Sequence, residues 1–261
     1  MRLSVVAERM RAQQPLVFCL TNVVVSNFTA NVLLAAGAAP AMTNLPGEAR
    51  EFAKVASAVL VNLGTPTTEQ MHAMEQAVVG ANEANTPWIL DPVAVGALGE
   101  RTDFARSLLP ARPTLIRGNA SEILALAGFE SAGRGVDSTD SVTAAMHAGT
   151  DLARRYGSVV AISGPADAII DADRTTLVHT DGLALTKVTG GGCALGAFTA
   201  AMVAAGDEVF EAAVSAHAWY GLAAERAWSR SRGPGSFAVN FLDELGEVTP
   251  SDIDSVRHEK H

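Results

Sequence analysis

The sequence predicts an α/β protein with three layers, in which helices cover both faces of a mainly parallel central sheet. Short apolar or β-branched runs alternate with longer helical patterns, which is typical of repeated βαβ units. The predicted strands are apolar at nearly every position, as are strands that are buried on both faces. Apolar residues make up 48% of the chain, and many of them are alanines, whose small side chains let helices pack closely on a sheet.

The first part of the chain contains five strand candidates, which are short, and five helix candidates, which are longer and carry helical spacing. The predicted strands are, in chain order, Leu16–Leu20, Ala58–Leu63, Trp88–Leu90, Thr114–Ile116 and Val159–Ile162. The predicted helices are Ser26–Ala36, Pro46–Ala56, Thr68–Asn82, Asn119–Ala127 and Asp140–Tyr156.

The pattern changes after the fifth strand candidate. Ala168–Asp171 and Thr176–His179, joined by the polar residues 172–174, predict an antiparallel hairpin at a sheet edge. The run Leu185–Val188 is expected to be extended. Helices are expected over Ala194–Ala205 and Glu208–Arg226, the second with Asp207 as its N-cap, and a third after residues 233–235.

Neither a low-complexity linker nor an internal repeat divides the chain. We therefore expect residues 1–250 to form a single domain, followed by a polar, loosely ordered tail over residues 251–261.

Charge and cysteine content exclude several classes of protein. The net charge of −9 and the pI of about 5.1 argue against a nucleic-acid surface, which needs clustered Lys and Arg. The apolar run Ala194–Ala205 is too short to span a bilayer, and Glu8 and Arg9 do not fit a signal peptide. Cys19 and Cys193 show neither metal-ligand spacing nor a disulfide framework. We expect a soluble cytoplasmic protein.

The run Thr189-Gly190-Gly191-Gly192-Cys193 is the most informative stretch. Consecutive glycines permit positive φ and close approach of backbone N–H groups to a ligand, and a helix start adds a favourable dipole for phosphate oxygens. Cys193 would face an anion held there, and the dipole would lower the pKa of its thiol. The alternative is a flexible strand-to-helix turn in which Cys193 packs as a small apolar residue.

Polar residues follow the predicted strands, at the edge where parallel sheets bind ligands. Asp91 follows Trp88–Leu90, and Ser163 follows Val159–Ile162. Arg117, Asn119 and Glu122 come after Thr114–Ile116, and the Asn119/Glu122 spacing also fits a helix capping box. Capping explains that pair about as well as metal or phosphate chemistry does. If the sheet is parallel, all of these residues converge with the glycine run, and two carboxylates suit Mg²⁺ bound to substrate phosphates.

Together, these residues and further short motifs resemble those of a known family over nearly the whole chain. Asn119-Ala120-Ser121-Glu122 resembles the N-x-x-E motif of the ribokinase superfamily, and a cysteine ending the glycine loop resembles the hydroxyethylthiazole kinases of thiamine salvage. Further short matches occur in the same order: Thr21-Asn22, Asn27-Phe28-Thr29-Ala30-Asn31, Pro40-Ala41-Met42, Asn62-Leu63-Gly64-Thr65, Asp91-Pro92-Val93, Ile116-Arg117-Gly118-Asn119, Gly135-Val136-Asp137-Ser138 and Gly235-Ser236-Phe237.

The resemblance implies a ribokinase-like fold and an ATP- and Mg²⁺-dependent kinase that acts on the hydroxyl of 4-methyl-5-(2-hydroxyethyl)thiazole. The implied roles are catalysis for Cys193; thiazole binding for Met42 and Gly190; cofactor binding for Arg117, Ser163 and Asn119; an anion hole for Gly190, Gly191 and Gly192; and metal binding for Asp91 and Glu122. The resemblance also implies a homotrimer with the thiazole pocket between subunits.

One position departs from the family pattern, because Gly191 stands where the loop usually carries a threonine. The loss of that hydroxyl affects the expected rate more than the reaction type. Cys193 is expected to act as a modest base or to position the substrate, because nearby phosphates oppose thiolate formation.

Alternative functions remain open from the sequence. They are a kinase of another hydroxymethyl heterocycle of the pyrimidine or pyridoxal type, a catalytically weak thiazole-binding homologue, and a thiol hydrolase with Cys193 as nucleophile. Without the resemblance, Met42 is more typical of a core residue, and His217 of a structural histidine.

Overall fold

A computed structural model describes residues 2–129 and 138–261 and shows one mixed sheet of nine strands. The strands are β1 (Leu16–Leu20), β2 (Ala39–Ala41), β3 (Ala58–Asn62), β4 (Trp88–Asp91), β5 (Leu115–Asn119), β6 (Val159–Ser163), β7 (Asp167–Ile170), β8 (Thr175–Val178) and β9 (His258–Lys260). Their spatial order is β2-β1-β3-β4-β5-β6-β7-β8-β9. Neighbours from β2 through β6 are parallel, and β7, β8 and β9 extend the sheet antiparallel.

The helices connect these strands. They are α1 (Ser4–Gln13), α2 (Ser26–Ala36), α3 (Pro46–Val55), α4 (Thr68–Ala84), α5 (Gly99–Leu108), α6 (Ala120–Leu126), α7 (Ser138–Tyr156), α8 (Gly191–Ala205), α9 (Val209–Ser229), α10 (Pro234–Glu247) and α11 (Pro250–Ile253). No helix in the described residues has both the length and the apolarity needed to cross a bilayer.

Alternate residues of the central strands belong to two separate hydrophobic cores. Val17 and Cys19 of β1 pack into the core that contains α8 and α9, whereas Phe18 and Leu20 pack into the core on the other face of the sheet. Because successive side chains of a strand point to opposite faces, this division is the signature of a sheet covered on both sides. The predicted three-layer α/β class with a mainly parallel sheet is confirmed.

The carboxyl-terminal prediction is wrong in one respect. Residues 251–261 were expected to be loosely ordered, but β9 pairs with β8 in the register Val178↔His258 to Thr176↔Lys260. The backbone N–H of His261 also donates to the carbonyl of Thr175 at 3.0 Å. The polar residues of β9 show no strand pattern, and their conformation comes from the hydrogen bonds that the β8 edge offers.

Two local predictions also fail. Of the run Leu185–Val188 only Val188 is extended, because residues Leu183–Lys187 form a 3₁₀ turn, in which the hydroxyl of Thr186 donates to the carbonyl of Leu183 at 2.6 Å. Asp207 does not cap α9, since Glu208 holds that position and Asp207 pairs with Arg9 instead. The motif at residues 135–137 lies outside the described residues.

Candidate active site

Most of the predicted site residues line one cavity at the carboxyl edge of the parallel strands. The cavity has a volume of about 1080 Å³. The predicted site residues on its wall are Asp91, Arg117, Asn119, Glu122, Ser163, Gly190, Gly191, Gly192 and Cys193. Strands β4, β5 and β6 end there side by side, and helix α8 begins there, so residues far apart in sequence come together as the strand-end rule predicts.

The glycine run forms the start of the buried helix α8. Gly190 precedes the helix with φ of +92°, a conformation that glycine adopts without a steric penalty. The N–H of Gly191 already donates to the carbonyl of Val188 at 3.2 Å. The next amides, of Gly192 and Cys193, belong to the first turn, which has no intrahelical acceptors for its N–H groups. A Cβ built on Gly192 would lie 3.5 Å from Nη1 of Arg117, so this turn faces the guanidinium.

Gly191 has a steric reason to be glycine. A Cβ at this position would lie 2.5 Å from the carbonyl oxygen of Leu185, a distance that real side chains do not reach. The 3₁₀ turn at Leu183–Lys187 therefore packs directly on the glycine run. The carbonyl of Gly191 is also held from the core side, because it accepts a hydrogen bond from the hydroxyl of Tyr220 at 2.7 Å.

Asp91 is the most deeply buried acid of the site, with 1% of its side chain exposed. Its Oδ2 accepts a hydrogen bond from Nδ2 of Asn62 at 2.7 Å and lies 4.0 Å from Nη1 of Arg117. Burial raises the pKa of Asp91 to about 7; the charge of Arg117 opposes this rise, the charge of Glu122 adds to it, and the bond from Asn62 lowers the pKa. Asp91 is therefore poised between its charged and neutral forms near neutral pH.

Asn62 contributes to the site, although the sequence did not identify it as a site residue. It ends β3, is fully buried, and its Oδ1 accepts hydrogen bonds from Nδ2 of Asn22 and from the N–H of Gly64, both at 3.1 Å. These bonds fix the amide so that Nδ2 points at Asp91. Its position in the sequence indicates this role, because Asn62 follows an apolar strand run just as Asp91 does.

Asn119 and Glu122 form the capping box that their spacing predicts. Oδ1 of Asn119 accepts from the N–H of Glu122 at 3.0 Å, and Oε2 of Glu122 accepts from the N–H of Asn119 at 2.9 Å. Oε1 of Glu122 also accepts from the N–H of Ala94 at 2.9 Å. Both carboxylate oxygens are therefore oriented by the backbone while the side chain lines the cavity. The structural and the functional interpretations of this pair are compatible.

Arg117 and Ser163 form a pair on neighbouring strands. Nη2 of Arg117 donates to Oγ of Ser163 at 2.7 Å, which leaves the hydroxyl proton of Ser163 free to donate elsewhere. Nε of Arg117 is buried and has no hydrogen-bond partner in the described part of the chain. A guanidinium group and a free hydroxyl on the cavity wall suit an anionic ligand.

Cys193 is partly buried and adjoins the acidic side of the cavity. Burial raises the pKa of its thiol to about 11, and the charge of Asp91 adds to the increase. The lowering effect of the helix start that the sequence suggested does not prevail. A nucleophilic cysteine needs a thiolate and a neighbouring base. Within residues 2–129 and 138–261 no hydrogen bond joins Cys193 to a histidine, so the arrangement does not favour the thiol-hydrolase alternative.

Met42 is not part of the cavity wall. It follows β2 at the same edge of the sheet, but it packs, half-buried, against the core that contains α8. The thiazole contact proposed for Met42 stays a prediction.

The acidic residues of the cavity suit a divalent cation that needs few protein ligands. The described residues contain no group of three or more His, Cys, Asp or Glu side chains arranged to hold a metal. Asp91 and Glu122 provide two carboxylates on one cavity wall. Mg²⁺ keeps several waters and needs one or two carboxylates besides substrate phosphates, so these residues fit that ion.

Comparisons with known sequences and with solved structures indicate the same family. A model described as the hydroxyethylthiazole kinase family matches residues 7–251. Hydroxyethylthiazole kinase from Clavibacter sepedonicus is 56% identical over 242 residues, which cover 93% of this chain and 88% of that protein. The structure of hydroxyethylthiazole kinase protein from Pyrococcus horikoshii OT3 matches with a TM-score of 0.91 and 34% identity, and both chains are covered in full.

A more distant likeness concerns the fold alone. The structure of pyridoxal kinase from Staphylococcus aureus in complex with pyridoxal matches with a TM-score of 0.64 and 19% identity, covering 95% of this chain and 98% of that one.

Proposed function

Because this chain belongs to the hydroxyethylthiazole kinase family, we propose that its cavity binds ATP and the thiazole alcohol side by side. The enzyme transfers the terminal phosphoryl group of ATP to the hydroxyl of 4-methyl-5-(2-hydroxyethyl)thiazole, a reaction of thiamine biosynthesis or salvage. One observation carries this proposal: the glycine run, the Arg117/Ser163 pair and the acids Asp91 and Glu122 line the same cavity. In phosphoryl transfer the protein mainly positions the reactants and stabilises charge, and this set of groups supplies both functions.

The nucleotide phosphates are proposed to bind between Arg117, Ser163 and the start of α8. Arg117 supplies positive charge, and Ser163 supplies a hydroxyl proton that is not used by Arg117. The amides of the first turn of α8 donate to the phosphoryl group. Asn119 belongs to this part of the wall through its cap on α6.

Asp91 and Glu122 are proposed to hold Mg²⁺. When bound, this ion would neutralise negative charge that develops on the phosphates during transfer. Its positive charge also fits the electrostatics of Asp91, because a nearby cation favours the ionised form of a carboxyl group that burial keeps partly protonated. Asn62 holds Asp91 in place through the hydrogen bond that its Nδ2 donates to Oδ2.

Cys193 is proposed to position the substrate hydroxyl rather than to remove its proton. With a pKa of about 11, the thiol is almost entirely protonated at neutral pH. As a neutral group it adds no negative charge next to the phosphates.

The thiazole ring is proposed to lie beyond Gly190, on the side of α2. A Cβ on Gly190 would lie 3.1 Å from Cβ of Val25 and 3.2 Å from Cδ1 of Phe28, so the turn at Gly190 packs closely on an apolar wall at the start of α2. Val23 and Val24, next to this wall, are 80% and 63% exposed. These exposed apolar residues support a subunit contact at this place. In the homotrimer that the resemblance implies, a neighbouring subunit would complete the pocket and Met42 would contribute to it.

The direct test is phosphorylation of hydroxyethylthiazole by ATP over a range of Mg²⁺ concentrations. Arg117→Ala and Ser163→Ala should raise the KM for ATP, and Glu122→Ala should raise the Mg²⁺ concentration needed for half-maximal rate. Absence of product from folded protein at every Mg²⁺ concentration would leave a thiazole-binding homologue without kinase activity, which calorimetry with the thiazole would then detect.

The alternative substrate class is tested in parallel. Pyridoxal and hydroxymethylpyrimidine are offered singly and as competitors of the thiazole alcohol. A higher kcat/KM for either would replace the thiazole assignment. Light scattering of the active protein tests the homotrimer, and full activity of a monomer would contradict the shared pocket. The cytoplasmic location also stays a prediction.

A further inference from the structure

A buried contact between a histidine and a carboxylate lies beside the turn that follows Ser163 and has no place in the phosphoryl transfer described above. Nδ1 of His217, on α9, is 2.6 Å from Oδ2 of Asp167, the first residue of β7. The His217 side chain is fully buried and that of Asp167 is 17% exposed. Asp167 lines the cavity, and His217 does not.

Both oxygens of Asp167 are engaged. Its Oδ1 accepts a hydrogen bond from the N–H of Gly164 at 3.0 Å, and its Oδ2 faces His217. Burial acts to raise the pKa of Asp167, but the interactions with His217 and Gly164 outweigh it and hold the pKa below its usual value. An ionised carboxylate only accepts hydrogen bonds, so Nδ1 of His217 carries the proton in this contact.

The pair controls the turn between β6 and β7. Residues 164–166 join Ser163 to Asp167, so a carboxylate clamped at both oxygens fixes the N–H of Gly164 and the direction in which the strand leaves Ser163. Ser163 is itself held by Arg117. His217 is therefore linked to the nucleotide-facing pair through Asp167 and Gly164.

The charge of Asp167 gives the contact a second consequence. A carboxylate on the wall of a phosphate site repels the ligand unless donors engage it. If His217 were absent, Oδ2 of Asp167 would lose its donor, and the remaining bond from Gly164 to Oδ1 would hold the carboxylate away from the phosphates less firmly.

We propose that His217 is a positioning residue for the nucleotide, which acts through Asp167 to hold the Ser163–Gly164 turn and to keep the Asp167 carboxylate away from the phosphates. This inference rests on the proposed placement of ATP against Arg117 and Ser163. Nε2 of His217 is buried without a hydrogen-bond partner in the described residues, so the contact with Asp167 is the one polar interaction that accounts for a histidine here.

Three substitutions test the contact at atomic resolution. His217→Leu removes the donor. His217→Asn places an amide N–H at the position of Nδ1, and His217→Gln places it one bond further, at the position of Nε2. The KM for ATP should rise about tenfold in the Leu and Gln variants and stay within about threefold of the wild type in the Asn variant. The kcat and the KM for the thiazole alcohol should change by less than about twofold in all three.

Circular dichroism and thermal unfolding establish that each variant is folded, and if the Leu variant is not, the Asn/Gln pair carries the test alone. Equal KM values for ATP in the Asn and Gln variants would overturn the inference, as would a parallel loss of kcat and of affinity for both substrates. Ser163→Ala distinguishes the role of His217 from the placement of the nucleotide. If it raises the KM for ATP while His217→Gln does not, the role of His217 alone is wrong, and if neither raises it, the placement of the nucleotide is wrong and the inference falls with it.

Discussion

Asn62 gives the sharpest test of the site, because it does not line the cavity and acts on the titratable groups Asp91 and Cys193 from behind it. The pKa of Cys193, about 11, lies far above the range in which Asp91 titrates, so the two effects are separable by pH. Asn62→Leu keeps a side chain of similar size and removes the donor that lies 2.7 Å from Asp91. A hydrogen bond to a charged group contributes ~1.5–3 kcal/mol, and one pKa unit corresponds to ~1.4 kcal/mol. At fixed pH, the ratio of ionised to protonated Asp91 should therefore fall by about tenfold to a hundredfold.

The assay is the pH dependence of kcat/KM for the thiazole alcohol with saturating ATP and Mg²⁺. Burial raises the pKa of Asp91 to about 7 in the wild-type protein without metal, and loss of the Asn62 donor raises it further. If Asp91 acts in its ionised form, the acid limb of the profile should move to higher pH in Asn62→Leu, and the rate at alkaline pH should recover. Substrate ionisation is the same for both proteins, so the difference between the curves reports on the enzyme.

Asn82→Leu is the matched control. It removes two side-chain hydrogen bonds, to the carbonyl of Ala111 and from Nε1 of Trp88, where Asn62→Leu removes three, and both lie outside the cavity. This variant should be less stable and should keep the wild-type pH profile. A uniform loss of rate at every pH in Asn62→Leu, with the same shape of curve, would refute the proposed coupling to Asp91.

Four further substitutions give separable outcomes. Asp91→Asn should abolish activity but stabilise the metal-free protein at pH ~8 by on the order of 2–4 kcal/mol, because a pKa raised on folding makes stability fall between pH ~4 and ~7. Urea unfolding checks this, and a stability difference that persists undiminished at pH ~4 would contradict it. Cys193→Asp should preserve or raise kcat, since the thiol, with its pKa of about 11, contributes little as a base. An inactive variant that is folded and binds the thiazole would show that the analogy with aspartate-bearing relatives is wrong. Gly191→Thr should destabilise the protein by about 1–3 kcal/mol without a gain in rate, because its Cβ would meet the Leu185 carbonyl, whereas Gly192→Ala should unfold at nearly the wild-type temperature. A stable and faster Gly191→Thr enzyme would mean that the 3₁₀ turn yields easily.

Much of the fold could be predicted because its signals are local. The central strands are continuous apolar runs, and a parallel sheet places the residues after those runs at one edge. That rule alone brings Asp91, Arg117 and Ser163 together. The capping box at Asn119 and Glu122 is likewise predicted by a local pattern of four residues, and both of its hydrogen bonds are present.

The features that escaped prediction depend on partners distant in the chain. Asn62 and Asp91 are 29 residues apart, and Asp167 and His217 are 50 apart, so no local spacing indicates either contact. The 3₁₀ turn at Leu183–Lys187 overrides the extended tendency of its residues because it packs on Gly191.

The strand His258–Lys260 has a consequence for how the protein is made. Its partner β8 leaves the ribosome first, and the pairing residue His258 is synthesised eighty positions after Val178. During that interval the edge of Thr175–Val178 that faces away from β7 has no strand partner, and it can pair with another nascent or unfolded chain. Once β9 has docked, the outermost strand of this edge carries charged residues, Glu259 and Lys260, which discourage such pairing. Production of chains shortened before residue 258 should therefore yield more insoluble material than production of the full sequence, even at equal expression.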